Sequence, residues 1–153
     1  MKAFYFESSA LVKRYLDEDG SDCVREVLAR KPLVVSAVIT RVEVAAAVAR
    51  ATRDNRVTKE EADAALQTFR QDWQDVMRVQ LVEAVIERAA ELAQKHRLRA
   101  YDAVHLAAAL CWKEWAGLEL WLASFDEDLR AAARSEELPT WPDNTRTDRR
   151  HLA

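Results

Sequence analysis

One stretch, Leu98 to Trp112, constrains this chain more than any other. From Ala103 onward it is apolar on nearly every side, His105 excepted. A helix that is hydrophobic all round belongs inside a core, not on a surface. Yet Asp102 stands near its start. A buried carboxylate without a partner is costly, so the group must be paired, metal-bound or placed at a mouth. Two readings follow. Asp102 caps its helix or pairs with Arg99, since acids are favoured in first turns. Alternatively, the core helix delivers Asp102 into an acidic site, and the rest of the chain supplies that site.

The 153 residues fit one domain. It is expected over residues 1–142, followed by a polar, basic tail over 143–153 carrying Arg146, Arg149 and Arg150. Two glycines and three prolines leave few tight turns, and the alanine content favours helix. The net charge of −3 gives no bulk electrostatic case for coating nucleic acid. A nucleic-acid substrate would need local basic patches or metal ions. Cys23 and Cys111 lack CxxC spacing and read as buried, reduced thiols. The N-terminal apolar run is too short for a leader, and no apolar run reaches about 18 residues, so a cytoplasmic protein is expected.

Taken in order, Ala3 to Phe6 reads as a buried strand. Ser8 is expected to cap the helix that follows, which leaves Glu7 at a strand's C-terminal end. Ligand sites of open α/β sheets lie at that end. Leu33 to Ser36 is a second strand. Residues 37–53 read as a helix with Val38, Val42, Ala45, Ala46 and Ala49 as its packing stripe. Glu43 then stands in an apolar neighbourhood, with pairing to Arg50 or Arg41 as the plain alternative. Thr58 and Glu61 form a capping box. Val76 to Val82 suits an edge strand and Glu83 to His96 a helix. Gly117 stops the long core helix. Leu118 to Ala123 is a further strand, and a second capping box from Ser124 to Glu127 puts Asp126 just past its end. Leu138 to Trp141 suits a last strand. Such alternation predicts an α/β fold: a central parallel β-sheet with helices on both faces.

On that plan Glu7 and Asp126 lie on one rim, and Glu43 and Asp102 lie in early turns of helices beginning near it. Four converging carboxylates would repel and not all stay ionised without a counter-charge. Mg²⁺ or Mn²⁺ would relieve them, since both take oxygen ligands. Such ions acidify bound water and, as a pair about 4 Å apart, clamp both oxygens of an in-line phosphodiester cleavage. No Ser–His or Cys–His nucleophile is visible, and two isolated glycines build no phosphate loop.

These residues carry a resemblance. Tyr5-Phe6-Glu7-Ser8-Ser9-Ala10-Leu11-Val12-Lys13, Thr40-Arg41-Val42-Glu43-Val44, Tyr101-Asp102-Ala103-Val104-His105-Leu106-Ala107 and Ala123-Ser124-Phe125-Asp126-Glu127-Asp128-Leu129 resemble the ordered acidic motifs of PIN-domain proteins. They are most similar to the VapC-type toxins of toxin–antitoxin pairs, from about Lys2 to Trp141. The resemblance implies a Mg²⁺- or Mn²⁺-dependent endoribonuclease, a homodimer, held inactive by a cognate antitoxin. The family's acidic positions fall on Glu7, Glu43, Asp102 and Asp126, with Asp128 as a possible fifth. Glu7, Asp102 and Asp126 would bind metal, and Glu43 would bind a second ion or orient the attacking water. Ser9 and Ser124 fall where the family places supporting hydroxyls. One departure stands out: the first acidic position is normally Asp, and here it is Glu7. The extra methylene pushes the carboxylate out by roughly one C–C bond, about 1.5 Å, and Mg²⁺ is strict about ligand placement. Weaker metal binding, or a bidentate or shifted ion, is expected, with activity open to reduction.

RNA also needs positive contacts, and Lys13, Arg14 and Arg41 are candidates beside the acidic motifs, with Arg50, Arg53 and Arg99 further along. Solvated helix faces are the plain alternative for each. His105 is expected to be packed and hydrogen-bonded, and Trp112, Trp115 and Trp121 to serve the core or a dimer contact. Two other functions stay open: a weakened module acting through an antitoxin complex and DNA-bound autoregulation, and phosphoryl transfer through a phospho-aspartate. The last wants an Asp on the first strand and a Lys after a later one, and neither is evident.

Overall fold

The computed structural model describes residues 2–143. Beyond Asp143, the expected basic tail lies outside the described residues. Strands and helices alternate: β1 (Ala3–Phe6), α1 (Ser8–Val12), α2 (Ser21–Ala29), β2 (Leu33–Ala37), α3 (Thr40–Arg53) and α4 (Lys59–Asp72). A 3₁₀ turn (Trp73–Asp75) leads to β3 (Met77–Val79), then α5 (Glu83–His96), α6 (Ala100–Ala116), β4 (Leu120–Ala123), α7 (Glu127–Ser135) and β5 (Thr140–Trp141). The strands form one sheet in the order β3-β2-β1-β4-β5, and every pairing is parallel. The expected sheet is therefore present, with β3 as an edge strand.

A parallel sheet needs both faces covered, and β1 shows how. Its side chains alternate. Ala3 and Tyr5 join the core formed with α5, α6 and α7. Phe4 and Phe6 join the core formed with α1, α3 and α4. Helix α6 holds the long apolar stretch, and its residues Ala103 and His105 through Trp112 are all buried. Trp112 is core, whereas Trp115 is exposed. Gly117 ends α6 in the left-handed conformation at φ 64°.

The expected stripe of α3 is corrected. Thr40, Val44, Val48 and Ala51 are the buried positions, and Val42, Ala45, Ala46 and Ala49 face outward. Alanines at 45, 46, 47, 49 and 51 make every side of this helix equally small and apolar, so no stripe stands out. β2 also runs to Ala37, so α3 begins at Thr40 rather than at residue 37.

Candidate active site

β1 and β4 are neighbours, with Phe6 opposite Ala123. The chain therefore releases Glu7 and Ser124 side by side at the same C-terminal rim. The Glu7 backbone N–H donates to Ala123 O at 3.3 Å. Asp126 follows two residues after Ser124 and caps α7, accepting from the Leu129 N–H at 2.8 Å. Ser124 Oγ accepts from the Asp126 N–H at 3.1 Å and holds that turn. The expected roles of the two turns thus shift. Ser124 braces the loop while Asp126 is the cap, and Glu7 rather than Ser8 caps α1.

Glu7 does so with its whole carboxylate. One oxygen accepts from Ala10 N–H at 2.9 Å and from the Ser9 hydroxyl. The other accepts from Ser9 N–H at 3.0 Å. Glu7 is buried, and burial pushes its pKa up, against the pull of Ser9 and His105.

Asp102 lies in the first turn of α6 and accepts from Arg99 Nε at 3.1 Å. The same guanidinium reaches Asp126 through Nη2 at 3.4 Å. The ion-pair alternative for Asp102 is therefore present, but the partner is shared. Two acids from separate elements converge on one positive charge, which is itself solvent-exposed. Asp102 and then Asp126 push the Arg99 pKa up, with exposed Asp128 adding to the field.

Glu43 belongs to a third arrangement. Its Oε2 accepts from Ser8 Oγ at 2.7 Å, and its Oε1 faces His105 Nε2 at 2.7 Å. His105 is fully buried, and its Nδ1 lies 2.8 Å from the Tyr5 hydroxyl. An ionised carboxylate only accepts, so Nε2 carries a proton and donates to Glu43, while Nδ1 bonds to the Tyr5 hydroxyl. Burial raises the Glu43 pKa, but the bonds from His105 and Ser8 outweigh it and hold the net value low. The Tyr5 hydroxyl is pushed up by burial, and both Glu43 and Glu7 add to the rise, so the two acids share one neighbourhood. Arg41 and Arg50 take no part.

The bonding of His105 matches its expected place in the core. Tyr5 and the Ser8–Glu43 link escape sequence reasoning. The available signal was the parity of β1, which turns Tyr5 toward α6. Among the cations, Lys13 pairs with Glu18 at 3.1 Å and lies 4.9 Å above the Phe125 ring. Arg14 faces Asp72 at 3.6 Å. Arg41 is exposed and has no ion pair among the described residues.

The donor set is oxygen throughout, which suits a hard divalent cation. Among the described residues, no three His, Cys, Asp or Glu side chains stand together in metal-holding geometry. Asp102 and Asp126 nevertheless converge on a cation. Mg²⁺ is commonly held by one or two carboxylates together with water and substrate phosphate, and the pair fits that demand.

A family model of the PIN domain matches residues 4–135. Ribonuclease VapC49 of Mycobacterium tuberculosis is 36% identical over 110 residues, covering 72% of this chain and 76% of that protein. Among solved structures, VapC20 of M. tuberculosis, a Sarcin-Ricin loop cleaving toxin, superposes with a TM-score of 0.62 at 19% identity, covering 84% of this chain and 94% of that one. VapBC2 from Rickettsia felis, bound to a promoter DNA fragment, gives 0.61 at 13% identity over 90% of this chain and 96% of that one. A parallel sheet with acids at its C-terminal rim, and a family match that spans nearly all of it, place this chain in the PIN domain family.

Proposed function

We propose that this chain is a toxin of the VapC type, an endoribonuclease that works with Mg²⁺ or Mn²⁺, acts in the cytoplasm as a homodimer and is restrained by a cognate antitoxin. One observation carries the reading: Asp102 and Asp126, from different elements, meet at one cation. The name of its relative, ribonuclease VapC49, and the likeness to VapBC2 from R. felis support it.

In this mechanism Asp102, Asp126 and Glu7 would hold the metal, Glu7 being the acid that now caps α1. When bound, the ion neutralises charge on the scissile phosphate and acidifies its water. Glu43 orients the attacking water. Both its oxygens are already bonded, but a carboxylate has about four lone-pair sites, so acceptor capacity remains. His105 fixes Glu43 in place and keeps it ionised. Ser9 and Ser124 hold the two acid-bearing turns. Asp128 lies outside this set as an exposed acid that adds negative field at Arg99.

The test is cleavage of a structured RNA with Mg²⁺ and with Mn²⁺, beside growth arrest on expression. The native chain is expected to cleave and to arrest growth, and Asp102→Asn to lose both. A native chain silent with both metals ends the reading. A second reading has its own observation, the inward-turned Glu7. There the site is weakened and the chain works through an antitoxin complex on DNA. Metal-dependent cleavage separates the two.

A further inference from the structure

A groove with a volume of about 720 Å³ opens where β2 and β3 end. Val38 donates to Val79 O at 3.1 Å and closes its base. Arg41, Arg78 and Gln80 form its polar wall, and Val38, Val42 and Trp73 its apolar one. This is the same C-terminal rim that carries Glu7 and Asp126. Neighbouring strands lie roughly 5 Å apart, and β3 is two strands from β1. The groove is therefore within a few nucleotides' reach of the acids.

The charge it presents is positive. No carboxylate lines it, and neither Arg41 nor Arg78 has an ion-pair partner among the described residues. Lys13, Arg14 and Arg99 are all held by acids. In a chain of net charge −3, two guanidiniums without a paired acid on one groove are a local anion site. The planar fork of Arg matches phosphate in a two-pronged bond. Val42, 66% exposed, offers apolar surface to a ribose or base. Trp73, itself buried, completes the apolar wall.

We infer that this groove is a phosphate-backbone subsite that guides single-stranded RNA across the rim to the acids, with Arg41 and Arg78 as its contacts. The inference rests on the ribonuclease reading and adds Arg78, Gln80 and a direction of approach. An acidic rim repels phosphate, so a strand that reaches Asp102 and Asp126 needs positive charge close by, and this groove supplies it.

The test uses the full chain in EDTA, which separates binding from cleavage. Anisotropy of a short fluorescein-labelled single-stranded RNA is followed over a salt series for the native chain, Arg41→Gln, Arg78→Gln and the double variant. Arg30→Gln, at the opposite rim before β2, removes one charge elsewhere and serves as control. Each phosphate contact contributes roughly 0.7 to the slope of log affinity against log salt for single strands. The double variant is expected to bind about tenfold more weakly or worse, with a slope shallower by roughly 1.4, and Arg30→Gln to match the native chain. A double variant with native affinity and slope overturns the subsite and leaves the groove to a protein partner. If the native chain still cleaves RNA in that case, only the subsite falls. If the native chain neither binds nor cleaves RNA, both readings fall.

Discussion

His105 Nε2 stands 2.7 Å from Glu43 Oε1, and this one contact joins the buried face of α6 to the acidic rim. The ring is a fully buried link between Tyr5 and Glu43. Removing it leaves two polar groups short of a partner, each costing about 1–3 kcal/mol. His105→Ala is therefore expected to destabilise the fold by about 2–6 kcal/mol in urea unfolding. It should also raise the Glu43 pKa, because burial then acts unopposed by the ring. A loss below about 0.5 kcal/mol, the range of an ordinary surface change, defeats the argument.

Far from the rim, Glu136 joins the end of α7 to α5. It accepts from Lys95 Nζ at 2.6 Å and faces His96 Nε2 at 2.6 Å. Lys95 first, then His96, hold its carboxyl below the usual range. A carboxylate with a lowered folded pKa stabilises above its unfolded pKa, near 4.5, and loses that contribution as pH falls through the folded value. Stability should therefore fall on acidification below that point, by at most about 1 kcal/mol for a pair this open. Glu136→Gln removes that part of the acid limb and leaves the remainder. Superimposable stability–pH curves for the two chains count against the clamp.

Arg99 occupies the charge position between Asp102 and Asp126, so on the proposed reading it competes with a divalent ion. Arg99→Gln is expected to bind Mn²⁺ more tightly than the native chain, read by titration of the metal. Asp102→Asn should lose cleavage by at least about a hundredfold while its thermal unfolding stays close to native. Weaker Mn²⁺ binding by Arg99→Gln would show that the guanidinium supports the site.

Glu7 raises a related question, because its carboxylate is spent on its own helix. A shorter acid at this position can cap α1 with one oxygen and leave the other for the rim, as Asp126 does on α7. Glu7→Asp is expected to gain Mn²⁺ affinity and cleavage rate while the cap on α1 is retained, since Asp is a favoured N-cap. Equal affinity and equal rate in the two chains would end the idea.

The legible part of this molecule was the part written in short-range pattern. The unbroken apolar run of α6, the capping box of Thr58 and Glu61, the stop at Gly117 and the alternation of strands with helices each follow from spacing alone. The acids at strand ends were legible for the same reason. What escaped depends on distance along the chain or on competition between similar groups. Tyr5 and His105 are a hundred residues apart, and nothing local records their bond. At both acid-bearing turns a serine and a carboxylate compete to cap the helix. The carboxylate won each time, because the strand's end sets which residue faces the free N–H groups. The stripe of α3 was unreadable because alanines on every side carry no directional signal.

The two glycines are expected to respond differently to a methyl group. Both hold positive φ, 91° at Gly20 and 64° at Gly117. Around Gly117 an added Cβ meets nothing within 4 Å, so Gly117→Ala costs only its backbone strain, about 1 kcal/mol. At Gly20 the same atom would stand 2.8 Å from Phe125 Cε1 and 3.3 Å from Lys13 Cδ. Phe125 has little room to retreat, since it packs edge-on against Trp141 and lies under the Lys13 ammonium. Gly20→Ala is therefore expected to cost about 2–3 kcal/mol, strain and overpacking together. Phe125 is also the residue between Ser124 and Asp126, so the displaced ring pulls on the turn that presents Asp126. Cleavage should drop in Gly20→Ala and hold in Gly117→Ala. Urea unfolding and a cleavage assay on the same two proteins decide it, and equal losses in both would show that Phe125 yields freely.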